Sequence, residues 1–422
     1  MNAFEFYNPV RIIFGAGEIR RIGEVSAQYG RKALIVSYQE VGFYGDLFER
    51  IKASLAGKGV TCVTHFAATA NPMISQAESG IALGRAERVD LVIGVGGGSA
   101  MDLAKVIAAG ILYPCGDIRR MIRFSHSREE QIPPKQALPL VMVPTLPATA
   151  SEMNPTAVIT DDETLRKSYV WAPGCLYPKA SILDPALTLT LPPYQTACGA
   201  IDAISHVVEP FFFSDEETFG NLELNDHLQI GVIRTLYENL PRLMEHPDDI
   251  QLRGVMQFGA TVGLNGWLIC GVQGWTPMHQ MGHVLSSHFK ATHGATLACM
   301  ILAWMRFFAG RRQNGRFRKF ARLMWNTGDL LEAADLFERY IGEFGVETRI
   351  SRFGCSEADL DDLTRYVVEV SFSADGTLAS IPRSDARRCG RSIGSPSERL
   401  VTPEGSPGVG DPSVSACRKR GF

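Results

Sequence analysis

The sequence predicts an α/β N-terminal domain built on a mainly parallel, doubly wound sheet, followed by an all-α C-terminal domain. Three observations carry this reading. Short apolar runs alternate with helical stretches over the first part of the chain, a glycine run links one such strand to a helix, and after Leu191-Pro192-Pro193 long helical periodicities take over. At 422 residues the chain exceeds what one hydrophobic core usually serves, so two domains are expected. Their expected limits are residues 1–191 and 192–383, with a disordered tail over 384–422.

Taken in order, Lys32 to Ser37 is a short apolar run after Tyr29-Gly30, as in a buried strand. A helix follows through Leu47, Phe48, Ile51 and Leu55, ending near Gly57. Val60 to Phe66 gives a second strand, Ile74 to Arg88 a second helix, and Val89 to Val95 a third strand. Gly96-Gly97-Gly98-Ser99 then enters the helix carrying Asp102 and Lys105. In such a sheet that is where a pyrophosphate sits, because free backbone N–H groups and the helix dipole favour an anion and glycine lets the backbone approach it. Ser99 occupies the last glycine place of the dinucleotide fingerprint, and a glycine run also serves as a plain tight turn.

Leu138 to Pro144 is another strand-like run, delivering Thr145-Leu146-Pro147-Ala148-Thr149-Ala150-Ser151-Glu152. Its hydroxyls suit phosphate, ribose or carboxamide, and equally a capped helix start. Ile159 to Asp162 and Ala180 to Pro185 complete the expected sheet domain. Helical periodicities then cover 194–210, 217–242, 248–271, 276–288, 295–309, 315–325 and 330–344.

The chemistry concentrates in this helical half. In Trp275-Thr276-Pro277-Met278-His279-Gln280-Met281-Gly282-His283 the two histidines stand four apart, hence on one helix face, and His293-Gly294 follows. Upstream, Asp202 and His206 repeat that spacing among small and apolar residues. A lone histidine on a helix is more often an ordinary core or surface residue. Two such pairs, one with a carboxylate too costly to bury unpartnered, fit a divalent ion with nitrogen and oxygen ligands, Fe2+ or Zn2+. His288 is off the spacing and is placed at the rim of the pocket.

A net charge of −3 gives no argument for nucleic acid, and no apolar run approaches the roughly 20 residues that span a bilayer. Nine cysteines are scattered without a C-x-x-C pair. With no basic flank or apolar core near Met1, that predicts a reducing, cytoplasmic setting. From about Arg383, arginine, serine, glycine and proline enrichment, as in Gly394-Ser395-Pro396-Ser397, predicts disorder.

With these motifs assembled, residues 5 to 382 resemble the iron-containing, group III alcohol dehydrogenase family. The segments recur in that family's order: Phe14-Gly15-Ala16-Gly17, Asn71-Pro72, Gly96 to Ser99 with Asp102 and Lys105, Thr145 to Glu152, Leu183-Asp184-Pro185, Asp202 with His206, and His279 with His283 and His293-Gly294. The form of Thr145 to Thr149 and Asn71-Pro72 are closest to its NADPH-dependent aldehyde reductases and butanol dehydrogenases.

The resemblance implies a Rossmann-like N-terminal domain, a helical C-terminal domain, and interconversion of a primary alcohol and its aldehyde by a homodimer. It places Asp202, His206, His279 and His293 on the metal ligands and His283 on an additional active-site histidine, a plausible proton relay since imidazole titrates near neutral pH. It places Asn71, Gly96, Gly97, Gly98, Ser99, Asp102, Thr145, Thr149 and Lys167 among the nucleotide contacts. NADP(H) is favoured over NAD(H): at the end of the first strand NAD-preferring relatives carry Asp at the Tyr38 position, so the charge that would repel a 2'-phosphate is missing, while Ser37 and Gln39 are placed to donate to that phosphate. Other expectations are a polyol dehydrogenase, a dehydroquinate synthase-like lyase, or a metal-binding module without turnover.

Overall fold

The computed structural model describes residues 2–122, 131–272, 277–311, 314–371, 377–378 and 384–385. The tail expected over 384–422 lies outside them, apart from Ser384–Asp385, which pairs antiparallel with Thr377–Leu378. Trp275 and Thr276 at the start of the histidine stretch also lie outside.

The N-terminal half contains β1 (Arg11–Phe14), α1 (Ile22–Ser26), β2 (Lys32–Tyr38), α2 (Leu47–Ala56), β3 (Thr61–Ala68), α3 (Ile74–Ala86), β4 (Leu91–Gly96), α4 (Gly98–Leu112), β5 (Leu140–Pro144), β6 (Thr156–Thr160), β7 (Lys167–Trp171) and β8 (Ala180–Leu183). Six of the strands form one sheet in the order β1-β8-β5-β4-β2-β3. Every pairing in it is parallel.

The middle of the sheet is covered on both faces, which explains why β2, β4 and β5 read as apolar runs while the edge strands β1 and β3 do not. In β2, Leu34 and Val36 join the core under α3 and α4, while Ala33 and Ile35 join the opposite core with Ile22, Val25, Ile51 and Leu55. Strand order reverses between β2 and β4, so their carboxyl ends, at Tyr38 and Gly96, flank the crevice where such sheets bind ligands.

The stretch expected from Ile159 to Asp162 is not part of this sheet. Instead β6 and β7 form a separate antiparallel hairpin. Its sequence shows why: buried Ala157 and Ile159 alternate with less buried Thr156 and Val158, a strand covered on one side only. The hairpin packs against α4 and reaches the helical half.

That half contains α5 (Pro193–Phe213), α6 (Glu216–Phe219), α7 (Glu223–Glu245), α8 (Ile250–Gly263), α9 (Pro277–Phe289), α10 (His293–Ala309), α11 (Gly315–Trp325), α12 (Leu330–Gly342) and α13 (Leu360–Ser371). The single helix expected over 217–242 is divided at Gly220, whose φ of 74° takes the chain out of helix, and the one over 248–271 ends at Gly263 before Gly266 turns at φ 93°. α13 was not foreseen in the sequence.

Helix α5 is the axis, packed against α7, α8, α10 and α11. Its end, Phe211-Phe212-Phe213, is fully buried against Trp304, Phe317 and Phe320, each ring worth roughly 1.5–3 kcal/mol of burial. Asp226 of α7 accepts from Arg316 Nη1 at 2.9 Å and Nη2 at 2.5 Å, tying α7 to α11.

Candidate metal centre

The two four-residue spacings act as expected, because α5 and α9 are helical throughout both pairs. α10 starts at His293 and lies so close to α5 that a Cβ on Gly294 would run into the Cys198 carbonyl, which sets His293 beside Asp202. Asp202 Oδ1 is 3.7 Å from His206 Nδ1, 3.6 Å from His279 Nε2 and 3.8 Å from His293 Nε2. Those separations are too long for hydrogen bonds. They resemble the edge of about 3.4 Å that a tetrahedron of ligands roughly 2.1 Å from a central ion would have.

The polar atoms support the same reading. Asp202 Oδ1 and His206 Nδ1 are buried and make no hydrogen bond. Two unsatisfied buried groups facing each other are costly without a third species between them. Asp202, His206 and His279 offer ligand atoms all within 4.8 Å of one another, and His293 Nε2 closes the group on Asp202 Oδ1. Acid and imidazole are the donors that Fe2+ and Zn2+ accept.

Charge is distributed accordingly. Burial drives the His206 imidazole down to about 3, helped by neighbouring His279. Burial alone would lower His279 too, but the Glu209 and Asp202 carboxylates push it up to about 9. His283 and His293 are held well below the ordinary imidazole value, by burial first and then by the Lys167 ammonium. The carboxylates thus call for a positive charge at this spot, while the other imidazoles are neutral, as ligands must be. His283 is buried with its ring 4.9 Å from that of His293, and its Nδ1 has no hydrogen bond.

The glycine loop lies across from this group. α4 starts at Gly98 without a side-chain cap, which leaves its first N–H groups for an anion. Its glycines are also required by neighbouring side chains: a Cβ on Gly97 would stand 2.8 Å from Tyr38 Oη, and one on Gly98 2.6 Å from Thr149. Gly96 has φ +148°. Ser99 Oγ donates to Ala70 O at 2.6 Å, Thr145 Oγ1 lies 3.0 Å from Tyr44 Oη, and the Gln39 side chain is exposed.

Asn71 joins the two regions. It accepts from Lys167 Nζ at 3.0 Å and donates to Ser286 O of α9 at 3.3 Å. Lys167 is buried, which pulls its ammonium down to about 8 against the opposing pull of Asp102 and Asp202. A cleft beside it is lined by Val284, Ser287, His288 and Tyr366.

Two of the expected nucleotide contacts have their side chains engaged within the protein. Ser37 is fully buried and its hydroxyl donates to Val95 O at 2.8 Å, so it has no donor to offer a phosphate. Asp102 already accepts from Ser151 Oγ at 2.6 Å and Val158 N at 2.9 Å. With Lys105, whose ammonium donates to Ser151 Oγ, Asn154 O and Thr156 O, it holds the loop after β5 in place.

The iron-containing alcohol dehydrogenase family model matches residues 9–185, and the model for the C-terminal part of the Fe-containing family matches residues 196–378. The chain belongs to the iron-containing alcohol dehydrogenase family.

Within this family, the chain is 32% identical over 372 residues to a probable NADH-dependent butanol dehydrogenase of Bacillus subtilis, covering 86% of this chain and 91% of that protein. It is 29% identical to the NADPH-dependent aldehyde reductase YqhD of Escherichia coli, covering 92% and 98%. The crystal structure of a butanol dehydrogenase from Thermotoga maritima, described as NADH-dependent, superimposes with a TM-score of 0.84 at 32% identity, covering 93% of this chain and 98% of that one.

One residue at the dehydrogenase site escaped the sequence reading. Glu209 is fully buried and accepts from His279 Nδ1. A signal existed: Asp202, His206 and Glu209 stand at i, i+4 and i+7, one face of a single helix.

Proposed function

We propose that this chain interconverts a primary alcohol and its aldehyde by hydride exchange with a nicotinamide dinucleotide, at a divalent ion held by Asp202, His206, His279 and His293. The observation that carries the proposal is the unpaired Asp202 carboxylate oxygen facing three imidazole nitrogens at 3.6–3.8 Å. A divalent ion, Fe2+ or Zn2+, supplies there the electrophile that polarises the substrate oxygen, and the nicotinamide supplies or takes the hydride.

The protein's own groups do the rest. His283 Nδ1, buried and without a partner, is the atom that takes or returns the proton. The uncapped start of α4 at Gly97, Gly98 and Ser99 receives the pyrophosphate, beside Gly96, Asn71, Thr145 and Thr149. Lys167 brings a buried ammonium between the nucleotide side and the histidines. The burial of Asp202, His206, His279 and His283 keeps bulk water away and strengthens each charge interaction.

The preferred cofactor in this reading is NADP(H). Tyr38 and Gln39 end β2 without an acid, and Glu40 is the nearest one, exposed beyond the strand. Relatives divide on this point, the butanol dehydrogenases being described as NADH-dependent and the reductase as NADPH-dependent.

We assign the dinucleotide domain to 1–191 and the metal domain to 192–383. The chain also pairs as a homodimer in this proposal. Among the described residues edge strand β1 carries no partner on its outer side, and beside it Phe14 packs on Phe258 with both rings about half exposed, an uncommon surface for a lone molecule. A cytoplasmic setting agrees with the unbonded cysteines of the described residues, and no helix among those residues is long and apolar enough to cross a membrane.

The test is a screen of simple aldehydes with NADH and NADPH, on protein stripped of metal and reconstituted separately with Fe2+, Zn2+ and Mn2+. Metal-dependent oxidation of the reduced cofactor is expected. Turnover that is unchanged without metal would rule out the proposal.

A further inference from the structure

We propose that Glu209 is a positioning residue whose single carboxylate both seats the first turn of α9 and fixes the tautomer of His279, so that helix docking and metal affinity depend on one side chain. The inference rests on the metal reading above and concerns a residue outside the ligand set.

Glu209 lies on α5, one helical turn beyond His206, and is 0% exposed. A carboxylate there is tolerable only if donors surround it. They come from two consecutive residues of α9. Oε1 accepts from the backbone N–H groups of Met278 and of His279, the latter at 3.1 Å, and Oε2 accepts from His279 Nδ1. The N–H groups in the first turn of a helix have no partner within it, and negative charge is favoured at that end. Glu209 therefore caps α9 from another helix.

The third hydrogen bond has a chemical consequence. With its Nδ1–H donated to Glu209, His279 turns Nε2 towards Asp202 Oδ1 3.6 Å away, with Ser205 Oγ at 3.4 Å. Two acceptors meet there unless a proton or a cation lies between them, and a metal ion would take the place of that proton. In the opposite tautomer, Nε2–H would turn this contact into an ordinary hydrogen bond to Asp202 and close the site to metal. Glu209 excludes that closed form. Carboxylates that orient a ligating imidazole in this way typically change metal affinity by about 10–100-fold.

Glu209→Gln separates the two roles. The glutamine oxygen still accepts from the N–H groups of Met278 and His279, but its NH2 group meets Nδ1 as a donor and imposes the opposite tautomer. Zn2+ affinity is measured on metal-stripped full-length protein by competition with a chromogenic chelator, together with the melting temperature of the metal-free protein. The expected result for E209Q is a Zn2+ affinity roughly 10–100-fold below wild type with a metal-free melting temperature close to wild type. E209D retains an acceptor on a shorter stem and should bind Zn2+ more tightly than E209Q.

Wild-type affinity in E209Q, or a lowered melting temperature with affinity unchanged, would overturn the proposal and leave Glu209 as a cap alone. If E209Q does not fold, the ring nitrogens of His279 in wild type decide by NMR: an Nδ1 without a proton overturns the proposal, and an Nδ1–H held by Glu209 supports it. Failure of the underlying metal reading looks different, since wild type would then take up no Zn2+, or His279→Ala would retain it.

Discussion

Asp202 Oδ1 and His279 Nε2 face each other across 3.6 Å, and the oxygen has no hydrogen-bond partner of its own. If an ion lies between them, removing the imidazole leaves an incomplete shell. His279→Ala should therefore lose metal and turnover together, with a loss of affinity beyond the roughly 10–100-fold typical of an outer hydrogen bond. Full metal occupancy by elemental analysis in that variant would disprove the ligand assignment.

His283 should behave differently, since its proposed part is to move a proton. His283→Ala is expected to keep its metal yet lose turnover on the order of 10^2 or more. Metal content falling as far as in His279→Ala would place His283 among the ligands instead.

Cofactor choice is expected to be set at the end of β2. With Tyr38 and Gln39 there, kcat/KM should be higher with NADPH than with NADH. A preference for NADH of about tenfold, roughly 1.4 kcal/mol, would reverse this and point to exposed Glu40 as the ribose partner.

An acid-dependent part of stability is expected at Asp226. Burial alone would raise its pKa, but hydrogen bonds from Arg316 and Lys319 outweigh it and lower the carboxyl below its ordinary value. A folded value below the unfolded one means that the contribution is present above about pH 4 and lost as pH falls through the lowered folded value. Asp226→Asn should cost about 2 kcal/mol at pH 7. Urea unfolding of both proteins should show that difference shrinking in acid, and a gap that stays constant down to pH 2 would remove Asp226 as its source.

Gly294→Ala tests how α10 is placed. The added methyl meets the Cys198 carbonyl, so the helices must separate at a cost of about 1–3 kcal/mol, displacing neighbouring His293. Both thermal stability and Zn2+ affinity should fall. A variant with normal metal affinity would show that His293 does not depend on this contact.

Much of this was legible in the sequence because it depends on short spacings. The pairs Asp202/His206 and His279/His283 read directly as helix faces, and β2, β4 and β5 stood out as apolar runs covered on both sides. The Ser37 hydrogen bond was less legible: a strand turns alternate side chains to opposite faces, so Tyr38 reaches the glycine loop while the Ser37 hydroxyl is spent on Val95 O. The partners of Asp102 were not legible either. α4 is buried almost all round, so an acid on it must find its donors within the protein. The hairpin of β6 and β7 was hidden because its partner strand begins at Lys167, a polar start that does not announce a strand.

Gly199 of α5 comes so near the Pro147 carbonyl that a Cβ would lie 2.5 Å from it, one residue after the place where α10 touches the same helix. The loop on the nucleotide side and the start of α10 are thus gauged against adjacent points on one rigid rod, through backbone atoms and not through side chains. Such a contact works as a ruler. Substitutions around the cleft near His288 and Tyr366 can reshape what enters the site, but they cannot lengthen this spacing. Across related chains, substrate range should therefore drift more readily than the reach between cofactor and metal, and a designer seeking a new reaction geometry would have to rebuild the rod itself.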